Sequence, residues 1–122
     1  MKNTERLSIA QYRQIGKKPK YRNVKTVVDG IRFDSKLEAA RYEELKQLQQ
    51  RSAVRWFIRQ VPFDLPGGIK YRADFVVVWD PAFYEPAVTV EDCKGYMTAT
   101  SKLKITQVEA IYGITVQLIR RA

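Results

Sequence analysis

The chain has 122 residues, enough for one domain with a true core, with 45% hydrophobic and 11% aromatic residues and a formal net charge of +9. No apolar run approaches the ~20 residues that span a bilayer, and the composition is too apolar for a disordered polymer. There is no histidine, which excludes Ser-His-Asp hydrolysis, histidine metal centres and HNH-type nucleases. A single cysteine, Cys93, and a leading segment without the apolar core of a secretory signal read as a cytoplasmic protein.

The positive charge is concentrated at the start. Lys2, Arg6, Arg13, Lys17, Lys18, Lys20, Arg22 and Lys25 face only Glu5, so residues 1–25 carry +7 and the remaining 97 residues +2. Residues 1–24 read as a basic arm, with a short amphipathic helix over Thr4–Ile15 closed by Gly16. Such an arm suits a polyphosphate partner, because each neutralised phosphate releases counterions. DNA is the expected partner, contacted by Lys17, Lys18, Lys20, Arg22 and Lys25.

Residues 25–122 form the expected folded domain. Asp29-Gly30 between apolar flanks predicts a type I′ hairpin over residues 26–33, small and peripheral. Ser35 opens a helix over Lys36–Gln50, and Glu38 three residues on fits a capping box. On a helical wheel, however, Glu38 also lies on the stripe of Leu37, Tyr42, Leu45 and Leu48; position alone does not choose between cap and site. Val54–Leu65 reads as a strand with a bulge or bend around Gln60–Pro62, where the apolar phase slips. Pro66-Gly67-Gly68 turns the chain into a strand over Ile69–Trp79, and a second turn leads to a strand over Val88–Cys93. A loop over Tyr96–Thr100, a helix over Ser101–Tyr112 capped by Gly113, and a strand over Ile114–Ile119 complete the chain. The order α-β-β-β-α-β behind a small hairpin predicts an α/β fold, a mixed sheet flanked by helices.

The chemistry concentrates in the second and third strands. Asp74 interrupts Phe75-Val76-Val77-Val78-Trp79, where an unpaired carboxylate would cost several kcal/mol, so it is expected to be paired or to hold a metal. Asp92 and Lys94 are two apart at the end of the next strand and therefore share a face, while alternation turns Glu91 to the opposite face in a structural or arm-pairing role. Two carboxylates from adjacent strands with a lysine beside them suit a Mg²⁺-dependent phosphodiesterase site: hard oxygen ligands for the ion, and a compact cation to orient the attacking water. Mn²⁺ is expected to substitute. Gln60 could reach the metal water from the neighbouring strand, but a polar residue beside a bend is more often only solvated. Lys102 and Lys104 stand near the start of the last helix, where cations oppose the macrodipole and an anionic ligand would explain them. No membrane and no nucleotide cofactor is expected.

Val-Asp-Gly-Ile-Arg-Phe-Asp-Ser-Lys-Leu-Glu-Ala (residues 28–39), Arg-Ala-Asp-Phe (72–75) and Val-Glu-Asp-Cys-Lys-Gly (90–95) resemble a family of small phage-encoded endonuclease-like proteins of the PD-(D/E)xK superfamily. The resemblance covers roughly residues 20–119. It implies a restriction-endonuclease-like fold, with Glu38 as the first-helix glutamate and auxiliary metal or water ligand, Asp74 and Asp92 as metal-binding acids and Lys94 as the catalytic lysine. Gln60 and Lys104 match secondary polar positions less closely, and Ala73 departs from the usual proline. The implied activity is a Mg²⁺-dependent DNA endonuclease in phage recombination, replication or packaging. Small size and the lack of a recognition domain point to branched DNA, as in Holliday-junction resolution, and relatives of this size imply a homodimer. The alternative is a DNA-binding or adaptor protein that retains the fold without turnover.

Overall fold

In a computed structural model, residues 26–121 are described. The expected arm, the short helix expected within it and the five expected DNA contacts, Lys17, Lys18, Lys20, Arg22 and Lys25, lie outside them. Strands β1 (Thr26–Val28) and β2 (Ile31–Phe33) form an antiparallel hairpin. Asp29 and Gly30 both have positive φ, 55° and 76°, as a type I′ turn demands. The hairpin is small but not peripheral. Phe33 is 0% exposed, and Tyr42 donates its hydroxyl to Asp29 Oδ2 at 3.0 Å, tying the turn to the following helix.

Helix α1 (Lys36–Gln50) begins at Ser35, whose side chain accepts the Glu38 amide at 3.1 Å. Its buried stripe of Glu38, Ala39, Tyr42 and Leu45 is spaced for one helix face. Strand β3 (Val54–Leu65), a single turn of 3₁₀ helix (Pro66–Gly68) and β4 (Ile69–Trp79) make a long antiparallel hairpin. β5 (Val88–Cys93) pairs antiparallel with β4, and helix α2 (Ala99–Tyr112) crosses over so that β6 (Val116–Ile119) pairs parallel with β5. The result is a mixed four-stranded sheet in the order β3-β4-β5-β6, with the separate two-stranded hairpin beside α1. Among the described residues no helix is long and apolar enough to cross a membrane.

Element boundaries differ from expectation in two places. α2 starts at Ala99 rather than Ser101, because Thr98 accepts the Ser101 amide at 3.0 Å and caps the helix two residues earlier. β6 starts at Val116, two residues after Ile114. Gly113 does close α2, at φ 66° with its amide bonded to the Glu109 carbonyl.

Two core clusters meet across the sheet. Phe33, Ala39, Tyr42, Leu45, Val54, Phe75, Val77 and Trp79 form one, against α1. Leu65, Tyr71, Ala73, Val90, Ile105, Val108 and Val116 form the other, against α2. From Tyr71 to Trp79 the odd-numbered residues of β4 are buried, yet Tyr71 and Ala73 belong to the α2 cluster and Phe75, Val77 and Trp79 to the α1 cluster. The β3-β4 hairpin therefore changes faces at Asp74 and, opposite it, Gln60. Gln60 has φ 54° and drops out of the ladder between the pairs Arg59↔Phe75 and Val61↔Ala73. The expected bend is thus found at Gln60, without the register shift of a bulge. The single shift in β3 comes earlier, between Val54 and Trp56, which is why Val54 and Phe57 pack inward while Trp56 and Ile58 stand 51% and 47% exposed.

Candidate active site at the end of the β4-β5 ladder

The ladder between β4 and β5 ends at Phe75↔Glu91. Beyond it the strands part, and the Cys93 amide, with no carbonyl to meet, donates to Asp74 Oδ2 at 2.8 Å. Asp74 Oδ1 accepts Gln60 Nε2 at 3.3 Å, and the same nitrogen donates to Glu38 Oε2 at 2.8 Å. Left-handed backbone at Gln60 turns a residue of the bend into a bridge between α1 and β4. Asp92, 2% exposed, accepts the Tyr71 hydroxyl at 2.7 Å and has Lys94 Nζ 3.5 Å from its Oδ2. Asp74 forms no ion pair among the described residues; the expected partners of a purely structural aspartate, Arg72 or a lysine, do not reach it.

Glu38 belongs to this cluster. The Ser35 cap uses the Glu38 amide, whereas its carboxylate, on a residue 5% exposed, turns to Gln60 and to Arg59 Nη2 at 3.9 Å. Only half of the capping box forms, which resolves the ambiguity of position toward the site. Glu91 is separate, as alternation requires. Fully buried, it accepts Arg41 Nε at 2.8 Å and Arg41 Nη2 at 2.6 Å, a bidentate pair with α1. Its charge is matched and plays no part in the site.

The electrostatics follow from this inventory. Burial raises the Asp74 carboxyl to about 7; the Cys93 amide opposes the rise, and the charges of Glu38 and Asp92 add to it. Burial likewise pushes Glu38 up, with Arg59 and the Gln60 bond pulling against it. The Tyr71 hydroxyl, buried and bonded to Asp92, is raised and stays a donor. The Cys93 thiol is raised by burial first and then by Asp74, Glu38, Glu91 and Asp92, the mark of a region where negative charge is under-compensated. Three carboxylates meet Lys94 at 3.5 Å and Arg59 at 3.9 Å, and those two contacts do not offset them.

The donor chemistry fits a hard divalent cation: carboxylate oxygens, one pair of them on an acid that burial, with neighbouring negative charge, raises to about 7. Asp74, Asp92 and Glu38 would hold it. Among the described residues, no group of three or more His, Cys, Asp or Glu side chains is already set to hold a metal ion; Glu38 Oε2, Asp92 Oδ2 and the two Asp74 oxygens accept hydrogen bonds from Gln60, Tyr71 and the Cys93 amide.

The cluster thus brings together Glu38, Gln60, Asp74, Asp92 and Lys94. Lys102 is exposed and Lys104 half-buried on α2, and neither is joined to the carboxylates by a hydrogen bond or ion pair among the described residues. Tyr71 and Arg59 were missed by sequence reasoning. Both occupy inward-facing positions of their strands, Tyr71 in phase with Ala73 and Arg59 in phase with Phe57, and a polar group in a buried phase was the available signal.

No curated protein and no solved structure matches this sequence. A family profile described as a protein of unknown function, DUF1064, matches residues 18–120, taking in the end of the basic segment and all of the elements above. The chain belongs to the DUF1064 family.

Proposed function

We propose that the protein is a Mg²⁺-dependent DNA endonuclease that hydrolyses phosphodiester bonds. The observation that carries this reading is the convergence of Glu38, Asp74, Asp92 and Lys94 where β4 and β5 part. The resemblance to PD-(D/E)xK nucleases rests on the same four residues, and the net charge of +9 suits a polyanionic substrate. A bound Mg²⁺ would polarise the scissile phosphate and make water a better nucleophile at neutral pH. The chain supplies the rest. Asp74, Asp92 and Glu38 offer the oxygens, the Tyr71 hydroxyl and Gln60 amide fix their orientation, and Lys94 holds an ammonium beside Asp92, where it steadies the attacking water and the charge that builds on phosphate. Branched DNA, a homodimer and a role in phage DNA processing extend the reading by resemblance.

A second reading is a DNA-binding adaptor that keeps the fold without turnover. The hydrogen bonds that Gln60, Tyr71 and the Cys93 amide give to the three carboxylates favour it.

The test is incubation with supercoiled plasmid and synthetic four-way junctions, in Mg²⁺, in Mn²⁺ and in EDTA. Metal-dependent cutting that disappears in Asp74→Ala and in Lys94→Ala is expected. Normal DNA binding with no cutting of any substrate by the wild-type protein would sink the nuclease reading in favour of the adaptor.

A further inference from the structure

Two arginines border the carboxylate cluster, and they are used in opposite ways. Arg41 spends its donors on Glu91 and Glu44, with three hydrogen bonds of 2.8, 2.6 and 2.6 Å. The Arg59 side chain makes no hydrogen bond among the described residues. Its guanidinium carbon lies 4.6 Å from the centroid of the Phe33 ring, and Nη2 is 3.9 Å from Glu38 Oε2, an ion pair too long for a hydrogen bond. Nε is buried without a partner. Only Nε is buried in this way, so the unpartnered Nη donors are the ones open to a ligand.

The ring contact explains how Arg59 keeps its place without hydrogen bonds. Phe33 is fixed at the heart of the α1 core, so it gives the planar cation a rigid platform. The platform restrains the guanidinium, and the side chain, 25% exposed, still presents part of itself to solvent. A guanidinium already positioned, with spare donors and beside acids that bring no hydrogen bond to it, suits a tetrahedral oxyanion.

We propose that Arg59, seated on Phe33, is the phosphate-binding residue of this site, taking a backbone phosphate of DNA through its Nη groups. This deepens the nuclease reading and rests on it for the identity of the ligand. Arg59 positions the strand; Lys94 and the acids act on the bond. Glu38 then has a double role, since its carboxylate keeps the arginine close without saturating it.

The experiment measures the affinity of wild-type protein, Arg59→Gln and Arg59→Lys for a fluorescein-labelled duplex and a four-way junction across a salt series in EDTA, with melting temperatures alongside. Arg59→Gln is expected to bind about tenfold more weakly and to lower the slope of log K against log[salt] by about 0.9, one phosphate contact. Arg59→Lys keeps the charge but not the planar fork, and is expected to recover the slope with part of the affinity. Unchanged affinity and slope in a folded Arg59→Gln overturns the proposal. So does a loss of cutting with unchanged binding, which would make Arg59 a support for Glu38 alone. If the wild-type protein cuts nothing but the slope still falls in Arg59→Gln, the phosphate contact stands and only the nuclease reading fails.

Discussion

Cys93 donates its backbone amide to the side chain of Asp74 at 2.8 Å, two residues past the last β4-β5 pair. On the β4 side, where the ladder has stopped, the strand end is closed by a carboxylate, and the carboxylate is held in a place where its charge is poorly tolerated. Asp74→Asn keeps an oxygen for the Cys93 amide and removes the charge. It is expected to abolish metal-dependent cutting while raising the melting temperature in EDTA at pH 8. The pH dependence has a definite sign. The folded-state value of about 7 lies above the ordinary 3.8, so the native state holds this proton longer than the unfolded chain. The destabilising contribution is absent below the ordinary value, grows between the two and is complete above the folded one. Melting curves of wild type and variant should therefore coincide near pH 4 and separate progressively up to neutrality. Equal separation at every pH would contradict the assignment.

Ser35 and Glu38 divide the work of the α1 terminus between cap and site. Ser35→Ala is expected to cost about 1 kcal/mol, a fall of several degrees in melting temperature, with an unchanged rate at 25 °C. Glu38→Gln should leave the cap intact and the melting temperature level or higher, because burial already disfavours the charged acid. Its cutting rate should drop by one to two orders of magnitude. Thermal melts paired with plasmid cleavage separate the two; a Glu38→Gln that melts early at full rate would return Glu38 to a capping role.

The Tyr71 hydroxyl orients Asp92 from within the α2 core. Tyr71→Phe removes one oxygen and little volume. Loss of an outer partner of this kind typically costs 10–100-fold in metal affinity or activity, so the Mg²⁺ concentration giving half-maximal cutting should rise by at least tenfold. A titration of rate against Mg²⁺ reads this directly.

Arg41 and Glu91 form a buried pair whose energetics are those of a matched charge in a dry place. Arg41→Met should destabilise by about 3–5 kcal/mol, because Glu91 is left charged and uncompensated. Adding Glu91→Leu should recover most of that loss in urea denaturation, as the pair costs more to break than to replace.

The parts of this site that declared themselves in the sequence are those that break a local pattern. Asp74 stands out because it interrupts an apolar strand, and Asp92 and Lys94 because alternation places them together and sets Glu91 apart. The helix and long strands were legible through periodicity and caps. What the pattern does not encode is how these side chains are aimed. Gln60, already a candidate, is turned inward by a left-handed φ, and Arg59, in a buried phase of its strand, looks like an ordinary cation until Phe33 is seen beneath it. Phe33 itself was hidden by the brevity of its strand: three residues suggest an appendage, yet they deliver the fully buried ring on which the α1 core closes.

The change of face at Gln60 and Asp74 also gives the site a mechanical standing. It lies on the seam between the two half-cores, and its carboxylates hang from both: Glu38 from the α1 side, Asp92 with Tyr71 from the α2 side. The charges of Glu38 and Asp92 both bear on Asp74 there, and a cation shared by those acids would offset that repulsion and fasten the joint. Ligand binding would then be felt as a gain in cooperativity between the halves, with amides of α1 and α2 slowing in hydrogen exchange together although the helices belong to separate clusters.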